Sequence, residues 1–203
     1  MIIHNCPQGS DEWFAVRLGK VTSSCFSKAI AGGAGKTADA YMYQLIAERM
    51  AGESQDGYTN PAMQWGTDTE PLAREYYEAL NGCSVQEVGF AELNEDIGSS
   101  TDGFVGDDGI IEIKCPNSTT HIKNMVAGKM PPEYKAQVQG GLWVTGRKWC
   151  DFVSYDPRII EAPYFCERIG RDEKYIQELS GKIDAFIVKM KETISKITGK
   201  SPF

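Results

Sequence analysis

Residues 100–116, STDGFVGDDGIIEIKCP, place an acid and a base two positions apart inside a run of branched apolar residues. Val105, Ile110, Ile111 and Ile113 suit a pleated, half-buried surface. Asp107, Asp108 and Gly109 supply a tight turn between the two runs, so the segment reads as a β-hairpin. Strand alternation puts Glu112 and Lys114 on one face of it. Asp102, at the end of the first strand and separated from Glu112 by nine residues, brings a second carboxylate to the same edge of the sheet.

Three charges at one spot of a half-buried sheet are costly when unpaired. A hard divalent cation bound by the two carboxylates removes that cost. Magnesium fits, because it prefers carboxylate and water oxygens and needs few protein ligands. Lys114 beside such an ion would orient or deprotonate a water and offset charge on a phosphate. Taken alone, the Glu-x-Lys pair is more often a solvated strand face than a catalytic one; Asp102 and the hairpin turn bring the two readings level, so the rest of the chain has to decide.

The flanking segments have helical signals. Ser10 followed by Asp11 and Glu12 starts a helix that stops near Gly19, and a second helix is expected from Thr22 to Ile30. Gly32, Gly33 and Gly35 form a loop. Thr37 is the expected cap of a helix closing at Gly52, and a polar linker follows. Asn60 and Pro61 open the next helix and Asn81 and Gly82 close it, with Pro71 inside expected either to kink it or to begin a second segment.

The period then changes. CSVQEVGFAEL, IGSSTDGF and GIIEIKC read as strands, PPEYKAQVQGGLWVTG as a helix, and KWCDFVSYD with PYFCERIG as a strand pair. From Arg171 onward, Ile176, Leu179, Ile183, Phe186, Ile187, Met190 and Ile194 recur at helical spacing, which predicts a long helix packed on the sheet. A chain of 203 residues with 41% hydrophobic residues has room for one well-filled core, so residues 1–203 are expected as a single α/β domain.

Composition removes several classes. No segment approaches the roughly 18 apolar residues of a membrane span, and the start MIIHNCPQGSDEW does not read as a signal peptide, so a cytoplasmic protein without membrane contact is expected. Six scattered cysteines without a Cys-x-x-Cys pair, and only two histidines, make a zinc or iron-sulfur site unexpected. The net charge of −7 argues against a broad basic surface that coats nucleic acid.

The ordered set QGSDEWFAVRLGKVTSS, QWGTDTE, STDGF, EIKCP, YKAQVQGGLWVTG and YDPR resembles the phage lambda exonuclease family, the YqaJ-like viral recombinase nucleases, over about residues 8–190. The resemblance implies a restriction-endonuclease-like core, a mixed β-sheet flanked by α-helices. It implies a magnesium-dependent exonuclease with two metal ions, manganese being a substitute. Such an enzyme degrades one strand of linear double-stranded DNA from the 5′ end and leaves a 3′ strand for a single-strand annealing protein.

By the same resemblance, Asp102, Glu112 and the carbonyl of Ile113 are metal ligands, and Lys114 is the catalytic lysine. Glu70 is an additional acid reaching the second metal or its water, and Gln137 lies near the active centre. Arg17, Ser24 and Ser100 form a pocket for the terminal 5′ phosphate. A homotrimeric ring around the duplex, in a bacterial or prophage-encoded protein, would reconcile DNA binding with the acidic charge.

Each position also has a plain structural reading. Glu70 would ordinarily be an exposed helix acid, Arg17 a solvated helix residue, Ser24 a helix start, Gln137 a polar face, and Trp13 and Trp65 core aromatics. Two rival functions stand beside the exonuclease: an endonuclease or junction resolvase of the same fold, and a non-catalytic DNA-binding module.

Overall fold

The computed structural model describes residues 1–32, 36–54 and 60–200; Gly33 and Gly35 of the expected loop and residues 55–59 of the expected linker lie outside them. The chain enters as strand β1 (Ile2–His4), then helix α1 (Asp11–Arg17), whose first turn is capped by Ser10 Oγ accepting from the Trp13 amide. Strand β2 (Val21–Thr22), a 3-10 turn at Ser23–Cys25 and helix α2 (Phe26–Ala29) replace the single helix expected there. Thr22 is a strand residue because its segment pairs in parallel with residues 97–98.

Helix α3 (Lys36–Ala51) contains Thr37 in its first turn, so Thr37 is not the cap the sequence suggested. Helix α4 (Pro61–Asn81) has the expected ends: Asn60 accepts from the Met63 amide, and Gly82 adopts the left-handed conformation, φ 60°. Pro71 lies within this helix without ending it. Its ring removes the amide that would meet the Thr67 carbonyl.

The three middle runs become five strands: β3 (Val85–Gln86), β4 (Phe90–Glu92), β5 (Ile97–Ser99), β6 (Gly103–Val105) and β7 (Gly109–Lys114). Two of the expected strands are each split between different sheets. β4 and β5 join β1 and β2 in a four-stranded sheet of order β1-β4-β5-β2. β3, β6 and β7 join β8 (Trp149–Tyr155) and β9 (Tyr164–Gly170) in a five-stranded sheet of order β3-β6-β7-β8-β9.

The crossings between the sheets are at residues 87–89 and 100–102. Gly89 makes the first one possible, since a Cβ there would lie 2.1 Å from the Cys6 carbonyl oxygen. Gly109, expected in the hairpin turn, is the first residue of β7, where the Trp149 ring packs over it; the turn itself is residues 106–108 with Gly106 at φ 53°.

β7 pairs antiparallel with β6 and parallel with β8, which pairs antiparallel with β9. It is buried on both faces rather than half-buried. Ile111 and Ile113 pack with Ala73 and Tyr77 of α4, whereas Ile110 packs with Val138 and Leu142 of helix α6 (Lys135–Thr145). Period-two alternation therefore turns Glu112 and Lys114 toward α6.

Helix α5 (Ser118–Ala127), capped by Asn117 and closed by Gly128, was not anticipated, although those two residues are its signal. Helix α7 (Glu173–Thr198) buries the expected residues from Ile176 to Met190. They join the cluster built by α2, α3 and α6 rather than lying on the five-stranded sheet, because α4 and α6 already cover the apolar faces of β7.

Candidate active site

Asp102 occupies the crossing just before β6, and its Oδ2 accepts from the Ile113 amide at 2.6 Å. Glu112 is 4% exposed. Its Oε1 receives the Lys114 ammonium at 2.6 Å and the Gln137 amide at 2.5 Å. Gln137 reaches it from the first turn of α6. Tyr134, one turn earlier, places its ring centroid 5.3 Å from Lys114 Nζ.

Glu70 projects from α4. Its Oε1 accepts from Arg74 at 2.7 Å, one helical turn on, and Arg74 also pairs with Glu87 at 2.9 Å. Glu70, Arg74, Glu87 and Asp102 line one cavity of about 1190 Å³. Arg17 and Ser24 line it as well.

The electrostatics are those of a crowded acid site. Burial pushes the Glu70 carboxyl up to about 7, the Asp102 charge adding and Arg74 opposing. Burial likewise pushes Glu112 up to about 7, with Lys114 opposing and Asp102 adding. Asp102 is raised by burial against the pull of Lys114 and the Ile113 amide. Burial alone would lower Lys114, but Glu112 and Asp102 outweigh it and hold the ammonium well above its ordinary range.

The donor chemistry fits a hard cation. Among the described residues no three or more His, Cys, Asp or Glu side chains gather in a ligating arrangement. The candidate set is thus the Asp102 and Glu112 carboxylates, completed by the Ile113 carbonyl and water, which is the sparse oxygen set that magnesium takes. A cation there would also relieve the burial penalty that raises both acids.

The predicted phosphate pocket is gathered in part. Arg17 Nη1 donates to Ser100 Oγ at 2.7 Å. Ser24 reaches the same cavity, while its hydroxyl is 3.3 Å from Thr22 Oγ1. Ile113 buries its side chain among Ala73, Tyr77 and Val153 and leaves only its main chain for the site.

Sequence reasoning missed Arg74 and Glu87, and read Trp13 as a core aromatic. Trp13 instead lines the cavity, with the Arg17 guanidinium 4.0 Å from its ring centroid. The spacing held a signal in both cases: Arg74 follows Glu70 by four residues, and Arg17 follows Trp13 by four. Trp65 carries Arg158 at 4.2 Å from its ring. His121 is fully buried between Ser154 Oγ and the Ala162 carbonyl. None of the described helices is long and apolar enough to cross a membrane.

Several known proteins are similar to this chain in sequence and fold. An alkaline exonuclease, LHK-Exo, from Laribacter hongkongensis is 43% identical, with 93% of this chain and 96% of that chain covered and a TM-score of 0.87. Its crystal structure in complex with dAMP superposes at 0.88. A phage related exonuclease from Haemophilus somnus 129PT, 20% identical over 88% of this chain and 96% of its own, shares the fold at a TM-score of 0.67. Escherichia coli K12 ExoD is 38% identical over 64 residues, 32% of this chain and 74% of that protein.

The fold is thus the restriction-endonuclease-like α/β arrangement. The model of the YqaJ-like viral recombinase domain matches residues 12–148, which span Trp13, Glu70, Asp102, Glu112, Lys114 and Gln137. The chain belongs to the YqaJ-like viral recombinase family.

Proposed function

We propose that the protein is a DNA exonuclease that removes nucleotides from the 5′ end of one strand of linear duplex, with magnesium as its cofactor. The observation that carries this reading is the pair of acids fastened to one strand, Asp102 by the Ile113 amide and Glu112 by the Lys114 ammonium, with Asp102 and Glu70 lining a cavity that also takes Arg17. The dAMP bound by the Laribacter relative is the kind of product an exonuclease releases.

When bound, a divalent cation would supply Lewis-acid activation of water and offset charge on the phosphate, and Glu70 would be available to a second ion. Asp102, Glu112 and the Ile113 carbonyl would hold it. Gln137 fixes the orientation of the Glu112 carboxylate through Oε1. Lys114 stands with its ammonium at that carboxylate, where it orients the attacking water and offsets the charge that grows on the phosphate.

Arg17, with Ser24 and Ser100, receives the terminal 5′ phosphate. A guanidinium suits such a group, which carries close to two charges. The remaining 3′ strand passes to a single-strand annealing protein, and a homotrimeric ring encloses the duplex. Enclosure explains how an acidic chain holds DNA, and Lys20 and Arg49 are already paired with Glu92 and Asp96.

The test uses end-labelled linear duplex and closed circular duplex, with and without magnesium. Release of 5′-terminal nucleotides from linear DNA only, and only with the metal, is expected. Cutting of closed circles would replace the proposal with an endonuclease, and light scattering of the enzyme on duplex reads the trimer.

A further inference from the structure

Trp13 is tied to three partners at once. Its indole Nε1 lies 3.0 Å from Ser100 Oγ and 3.0 Å from the Gly89 carbonyl, and its ring stacks on the Arg17 guanidinium. Arg17 Nη1 meets the same Ser100 oxygen at 2.7 Å. Indole and guanidinium nitrogens donate and never accept, whereas a serine hydroxyl has one proton and two lone pairs. Both lone pairs of Ser100 are therefore met by donors. Its own proton is left to donate outward, and none of the described residues accepts it.

We propose that Trp13 is a positioning residue that makes the Arg17–Ser100 wall a surface of donors only, and so selects a terminal phosphate over a 5′ hydroxyl. The inference rests on reading Arg17, Ser24 and Ser100 as the terminal-phosphate pocket. An ionised phosphate monoester has acceptor oxygens and no proton to place, so it matches every group on this wall. A terminal hydroxyl brings a proton that neither Arg17 nor the committed Ser100 oxygen can accept. Charge attraction by Arg17 alone would favour the phosphate too; fixing the Ser100 proton adds a second, directional discrimination. The pinning comes from the sheet crossing at Gly89, where the indole is held by a main-chain carbonyl.

The experiment measures binding in chelator, without cleavage, of duplexes closed by a hairpin at one end and carrying a 5′ phosphate or a 5′ hydroxyl at the other. Wild type, Trp13→Phe and Ser100→Ala are compared, with thermal melting as the check of folding. Trp13→Phe keeps an aromatic ring under Arg17, though a smaller one, and removes the indole donor. The ratio of the two affinities is expected to fall about tenfold in both variants, the size of one hydrogen bond to a charged group, with hydroxyl-end binding held or improved.

No preference in the wild type would sink the terminal-phosphate reading itself. A wild-type preference that Trp13→Phe retains in full, or equal weakening at both ends, would overturn the role given to Trp13 alone. If Trp13→Phe does not fold, Ser100→Ala decides, and an unchanged ratio there refutes the donor wall.

Discussion

The main-chain amide of Ile113 donates to Asp102 Oδ2 at 2.6 Å, so the first acid of the site is fastened to the strand that carries the second. One carboxylate oxygen is held by the hairpin partner and the other is left for a ligand. The spacing between Asp102 and Glu112 is thus set by a backbone bond rather than by side-chain packing.

Asp102→Asn retains an oxygen that can accept from Ile113 and loses the charge. Cleavage of linear duplex should disappear while the fold survives. In chelator the variant should melt at or above the wild-type temperature, because repulsion with Glu70 and Glu112 is relieved. Nuclease assays and melting curves on the same samples check both halves, and full activity would remove Asp102 from the site.

Lys114→Ala should lower kcat by at least about a hundredfold, the ~2.7 kcal/mol typical of losing one preorganised donor at a developing charge. Binding of duplex in chelator should persist. Single-turnover rates set against equilibrium binding separate the two effects. A rate within a few-fold of wild type would leave Lys114 only a structural partner of Glu112.

Metal-free stability should depend on Glu112 ionisation. Its carboxyl is pushed from the ordinary 4.5 up to about 7 by burial, so the native state keeps a proton that the unfolded chain has released. Stability therefore falls as pH rises from about 4.5 toward 7 and then levels. Glu112→Gln should flatten part of that fall, with a residual slope from Glu70, also pushed up to about 7. Magnesium affinity should climb over the same interval as the competing protons leave. Melting curves in chelator and calorimetric magnesium titrations across that range read the two trends.

Asp156 gives the opposite sign. It is fully buried, which would raise it, but donors from Arg158 and Ser118 hold it down at about 2. Its contribution is complete above the ordinary 3.8 and is lost as pH falls through about 2. Asp156→Asn should cost about 1.5–3 kcal/mol at neutral pH, the scale of hydrogen bonds to a charged group, and far less near pH 2. Urea unfolding at both pH values measures the difference.

The amino-acid sequence by itself determined what short-range physics controls. The Ser10 and Asn60 caps, the left-handed stop at Gly82, the 103–114 hairpin and the apolar stripe of α7 all follow from residues within a few positions of one another. The candidate ligands Asp102 and Glu112 and the catalytic candidate Lys114 were legible for the same reason, since all three lie on one hairpin or directly before it.

Tertiary structure alone decided where that hairpin points and what surrounds it. Gly89 passes against the Cys6 carbonyl, and this contact between distant segments sends β3 and β4 into different sheets, which no local pattern encodes. Burial of β7 on both faces, by α4 on one and α6 on the other, turned Glu112 toward Gln137, 25 residues away. The Arg17–Ser100 bond spans 83 residues, and it forms because the chain leaving β5 for the other sheet carries Ser100 within reach of the last residue of α1. Side-chain periodicity fixes the face a residue occupies within its element, whereas the partner on that face is fixed by which elements the core packs together.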